Sequence, residues 1–130
     1  MTSMIFYTHS GWRYIVILVL IVANVMMLYG WLGKRKWGTW DQRIGMITPI
    51  VLDIQWLLGL ILWITYGLPT SGHFIEHMAT MTLALIAAHI GWSRAKKATT
   101  DEGKFRIAAI AYIGAGLLVG LGVARITGWM

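Results

Sequence analysis

Four apolar runs decide what this chain can fold into. They cover residues 11–32, 44–66, 74–92 and 107–126. Each is about 20 residues long, and a helix rising 1.5 Å per residue then covers the ~30 Å of a bilayer's hydrocarbon. Backbone N–H and C=O groups find no water in that layer, so each run must pair its own, and a helix does this. Short connections make successive helices antiparallel neighbours. The expected fold is therefore all-α: a single-domain membrane protein, an up-down-up-down four-helix transmembrane bundle with helices near 9–32, 44–66, 74–94 and 105–127. Composition agrees, because only 12% of the 130 residues are charged, against about 25% in soluble domains.

The cations set the orientation. Lys34, Arg35, Lys36 and Arg43 lie in the first connection, and Arg94, Lys96, Lys97, Lys104 and Arg106 in or beside the third. By the positive-inside rule, loops 33–43 and 94–106 are cytoplasmic, and both termini and the loop 67–72 face outward. This segregation accounts for the net charge of +6 without a nucleic-acid partner. Residues 1–10 lack the basic start of a secretory signal, so the first run reads as a retained span. Trp12, Tyr14, Trp31, Trp37, Trp40, Tyr66, Trp92 and Trp129 sit near run ends, as interfacial anchors do. In the third loop, Thr99 or Thr100 is positioned to cap the fourth helix, with Asp101 and Glu102 complementing its dipole. Gly116 and Gly120 have the spacing that lets helices approach closely, within the bundle or between copies. The chain has no cysteine, which excludes disulfides, thiolate metal sites and covalent c-type haem.

Ionisable groups within apolar spans are functional candidates by default. His9 and His77 both fall at the outer end, one on each of two helices. His77 begins a stripe that continues through Met81, Ala84 and Ala88, which share one helix face. Small side chains beyond an imidazole leave a slot for a flat macrocycle. Two neutral imidazoles from facing helices can hold haem iron axially, and Arg13 and Arg125 could pair with the propionates. His73, one turn before His77, is the substitute ligand, and Met78 or Met81 would make a His/Met site. His89 lies deeper and has no histidine partner at its level, so a second haem is not expected. Asp53 sits near the middle of the second run, where an aspartate costs about 2.5–3.5 kcal/mol on insertion scales. Together with Gln55 and His89 it marks a possible proton or quinone site. Alternatively it is a hydrogen-bond plug to Asn24 or His89. Pro49 is expected to free a backbone carbonyl nearby.

Four motifs occur in order: His9-Ser10-Gly11-Trp12-Arg13-Tyr14, Ile54-Gln55-Trp56-Leu57-Leu58-Gly59-Leu60, Glu76-His77-Met78, and Lys96-Lys97-Ala98-Thr99-Thr100-Asp101-Glu102-Gly103-Lys104. In them the chain resembles small four-helix bacterial membrane proteins labelled as b-type cytochromes, in the broad cytochrome b and b561-like class. The resemblance implies one haem b, with His9 and His77 as ligands and Arg13 as a propionate partner, in a bacterial inner membrane. Some members of that group carry a histidine near the position of Asp53, and its absence here argues further against a second haem.

The expected function is membrane-bound electron transfer by one b-type haem between helices one and three. The partners would be the lipid bilayer, a quinol, and other membrane subunits or further copies of the chain. Such a protein is an electron-transfer subunit rather than a stand-alone enzyme, and no hydrolase or phosphate-loop motif appears. The alternatives are a non-redox accessory subunit binding lipid or pigment and, below that, a proton-coupled transporter using Asp53.

Overall fold

In the computed structural model, which describes residues 2–126, the chain forms a bundle of four helices: α1 (Thr2–Leu32), α2 (Thr39–Thr65), α3 (Gly72–Lys97) and α4 (Asp101–Ile126). All four are long and apolar enough to cross a membrane. Trp129 lies outside the described residues.

The helices overrun the apolar segments, because hydropathy marks hydrocarbon whereas helix ends are set by local hydrogen bonding. α1 begins at Thr2, since residues 2–8 contain no proline or glycine to stop it. Thr8 turns its hydroxyl back onto the Met4 carbonyl at 2.8 Å. α2 begins at Thr39 because Asp41 organises its first turn. One Asp41 carboxylate oxygen accepts the Gly38 N–H at 2.9 Å, as the acid of a capping box does. The other accepts from Arg35 at 2.9 Å. Asp41 is 3% exposed, so part of the expected first loop is helix. α3 runs on to Lys97, with Arg94, Lys96 and Lys97 in its last turn, where cations meet the helix dipole favourably. α4 starts at Asp101 because Thr100 Oγ1 accepts the Gly103 N–H at 3.0 Å, which makes Thr100 rather than Thr99 the cap. The third connection thus shrinks to residues 98–100.

α1 packs on α2 and α4, and α3 packs on the same two, closing a ring. Met81, in the first half of α3, lies against Gly122, late in α4, and Gly91, late in α3, lies against Ala111, in the first half of α4. Gly30 lies under the Phe105 ring and Gly45 under the Trp92 indole, so closely that a Cβ at either would collide. Small residues at such crossings allow backbones to approach where lipid offers no hydrophobic drive. Tyr112, Phe105, Met27 and Thr48 are the largest fully buried side chains.

Two sequence expectations change here. Trp92 is no interfacial anchor: it is buried, and Trp37 stacks on it at 6.2 Å. Tyr14 and Trp40, by contrast, are exposed. Gly116 and Gly120 do not act as a pair inside the bundle. Gly116 abuts Asn24, while Gly120 has open space.

Pro49 lies inside α2 and cannot donate to the carbonyl four residues back, that of Gly45. Tyr112 fills the gap, with its hydroxyl donating to the Gly45 carbonyl at 2.5 Å. The freed carbonyl is real, but it belongs to the α2–α4 contact and not to Asp53.

Candidate functional site

One end of the bundle holds a cavity of about 240 Å³, lined by His9, Arg13, Gln55, Gly59, His77 and Met81 among others. The start of α1, the end of α2, the start of α3 and the end of α4 all contribute. Local contacts fix each wall. Gln55 Nε2 donates to the His9 carbonyl at 2.9 Å, and Trp12 Nε1 donates to the Val51 carbonyl at 3.0 Å, so α1 is held in register on α2. On the other side, Glu76 and Arg125 form an ion pair between α3 and α4, with Arg125 Nη2 donating to Oε2 at 3.1 Å.

His9 and His77 face each other across this cavity. Their ring centroids are 6.4 Å apart and their planes are nearly perpendicular, at 88°. The His9 ring interacts with Gln55 and the His77 ring with the Gly122 carbonyl. The Nδ1 atom of each is buried without a hydrogen-bond partner, and so is Gln55 Oε1. Buried polar atoms are nearly always satisfied in proteins. The residues that carry these three atoms line one cavity, and the atoms themselves are shut off from its open space. Gly59 contributes room, because a Cβ there would come within 3.1 Å of His9 Cε1.

The other predicted residues divide sharply. Arg13 lines the cavity and donates to the Tyr14 hydroxyl at 3.1 Å. Met81 lines it too, whereas Ala84 is fully buried in the core and is not among the lining residues. The stripe running from His77 therefore supplies close packing beyond Met81, and the open space lies toward α2 and α4. Arg125 is engaged by Glu76 at the rim. His73 is exposed and, unlike His77, is not among the lining residues.

Asp53, Gln55 and His89 do not form one site. Gln55 faces the cavity. Asp53 points away from it and meets His89 of α3, with Oδ1 2.7 Å from Nε2. At about 100° per residue, two positions two apart point in nearly opposite directions, so Asp53 and Gln55 had to diverge. Of the two plug partners considered for Asp53, His89 is the one present, and Asn24 faces α4 instead. Gly59 escaped sequence reasoning, although Leu52, Gln55, Gly59 and Leu62 form a stripe at helical spacing, and all four line the cavity.

No protein-family model, curated protein or solved structure matches the chain.

Proposed function

We propose that the chain is a membrane-bound electron-transfer protein that holds one b-type haem between His9 and His77. The observation that carries this reading is the 6.4 Å separation of two imidazoles, whose residues line one cavity and whose Nδ1 atoms make no hydrogen bond. Two imidazoles from facing helices could hold one haem iron between them. The second nitrogen of a ligating histidine is commonly held by a backbone or side-chain acceptor, and Gln55 and Gly122 are the neighbours nearest to that part here. Among the described residues no group of three or more His, Asp or Glu side chains comes together. Two imidazoles alone leave a metal's coordination shell incomplete, and a macrocycle's four nitrogens would complete it.

Haem, when bound, supplies reversible one-electron chemistry. The chain's own part is to fix the two rings, keep water out with Leu52, Leu62 and Val119, and offer Arg13 to an acidic substituent at the rim. Arg125 could join only by leaving Glu76. Gly59 leaves room for the His9 ring against α2.

The same reading places the bundle up-down-up-down in a bacterial inner membrane. Loops 33–38 and 98–100 are then cytoplasmic, the cavity is near the outer face, and a quinol or another membrane subunit is the electron partner. The clustering of Lys and Arg at one end supports this orientation. Transport through a single chain gains no support, since Asp53 and His89 lie on the outside of the bundle.

A reduced-minus-oxidised visible spectrum of the purified protein tests the proposal. A haem b α-band is expected, lost in His9→Ala and in His77→Ala but kept in His73→Ala. A spectrum without the band, from membranes supplied with haem, overturns it.

A further inference from the structure

The Asp53–His89 pair is the most anomalous feature outside the cavity. It lies between two α2–α3 contacts: the Trp56 Nε1 bond to Thr82 Oγ1 at 2.9 Å on one side, and the Gly45–Trp92 packing on the other. Yet the side chains are 40% (Asp53) and 49% (His89) exposed, on the outer surface of the bundle. Their neighbours on that surface, Ile50, Leu57 and Ile86, are exposed and apolar. Asp53 is about ten residues beyond Arg43 along α2, or ~15 Å at 1.5 Å per residue, which places it inside the hydrocarbon. Within the described residues, Asp53 Oδ2 and His89 Nδ1 make no further hydrogen bond. Polar atoms left bare to lipid are expensive, and polar groups in transmembrane helices commonly pair across an interface.

We propose that this face is the contact between two copies of the chain, related by a twofold axis normal to the membrane. The argument is complementarity. A net charge at this depth is costly, so the pair is neutral overall: either aspartate with imidazolium or carboxylic acid with imidazole. In both arrangements the contact between Oδ1 and Nε2 uses one proton. One N–H donor is then left at Nδ1 and one acceptor at Oδ2. Each chain thus presents one donor and one acceptor at the same depth, which is what a self-complementary twofold interface requires. Nδ1 of each copy donates to Oδ2 of the other, and four side chains close one hydrogen-bonded ring. Ile50 and Leu57, each about one turn from Asp53, and Ile86, about one turn from His89, pack around it. The proposal does not depend on what occupies the cavity.

The absence of cysteine from the chain makes the test clean. Single variants Ile50→Cys, Leu57→Cys and Ile86→Cys, oxidised in native membranes, are expected to give a disulfide-linked homodimer. Leu117→Cys, more exposed than these three but on α4, is expected to remain monomeric. Adding Asp53→Leu with His89→Leu to Ile86→Cys should lower the cross-linked fraction about tenfold, in line with losing two interhelical hydrogen bonds in a membrane. The haem band, or the thermal melt if there is none, reports whether that variant is folded. Absence of cross-linking at all three positions overturns the proposal. So does equal cross-linking at Leu117, or a folded Leu/Leu variant that dimerises undiminished. Cross-linking of these positions to a different protein in place of a second copy also overturns it.

Discussion

The cavity at one end of the bundle and the Asp53–His89 pair on its flank are built from the same material, polar side chains on facing helices, and they come out opposite. In the cavity two imidazoles face inward with their Nδ1 atoms unsatisfied. On the flank an imidazole and a carboxylate face outward and satisfy each other at 2.7 Å. The inward imidazoles are shut off from lipid and make no hydrogen bond through Nδ1. An outward pair has met half its own demand and points to a neighbour for the rest. Polarity alone therefore says little about role in such a chain; the direction in which a side chain leaves its helix decides it.

Substitutions can break or sharpen this contrast, and the largest effect is expected at the histidines. His77→Ala should remove bound haem completely, read from the visible spectrum, while His89→Ala leaves the band in place. Equal loss in both variants would erase the distinction between the two regions. Next is Gly59→Val, which pushes side-chain atoms toward His9. Overpacking of this kind costs about 1–3 kcal/mol, so the haem-to-protein ratio on purification should fall, whereas Gly120→Ala, with open space around it, leaves it unchanged. Tyr112→Phe lies between the regions and touches neither. Losing its bond to the Gly45 carbonyl should cost about 1–3 kcal/mol as a buried acceptor goes unmet, seen as a lower melting temperature with an unaltered spectrum. The smallest effect is expected for Asp53→Asn in detergent-solubilised single chains. An amide still reaches His89, and interhelical hydrogen bonds in membranes average about 0.6 kcal/mol. A melting-temperature change as large as that of Tyr112→Phe would mean that the pair holds the single bundle together.

Much of this could be read in advance. Four helices followed from run length and the cost of unpaired backbone, and Thr100 was one of two candidate caps. The placement of His9 and His77 at one end followed from where their runs begin. That they meet across one cavity did not, since the rotation of each helix depends on packing from residues such as Gly30, Gly45 and Gly91. Asp53 and Gln55 were grouped by proximity in sequence, although helical spacing already separates them. Trp92 sits at the end of a run and looks interfacial, yet Gly45 opposite it leaves a space that only a large ring fills. Arg125 was expected to be available at the rim, and its engagement by Glu76 could not be anticipated without knowing that α3 and α4 pack together.

The bond from Tyr112 to the carbonyl that Pro49 leaves open bears on biogenesis. Proline makes α2 unable to complete its own ladder, and the missing donor comes from α4, two helices further along the chain. Until α4 inserts, α2 carries an unmet carbonyl in the hydrocarbon, at a cost of several kcal/mol. A nascent chain stopped after α3 would keep that defect, and membrane quality control could recognise it. The proline thus delays the closing of the bundle until α4 has been made.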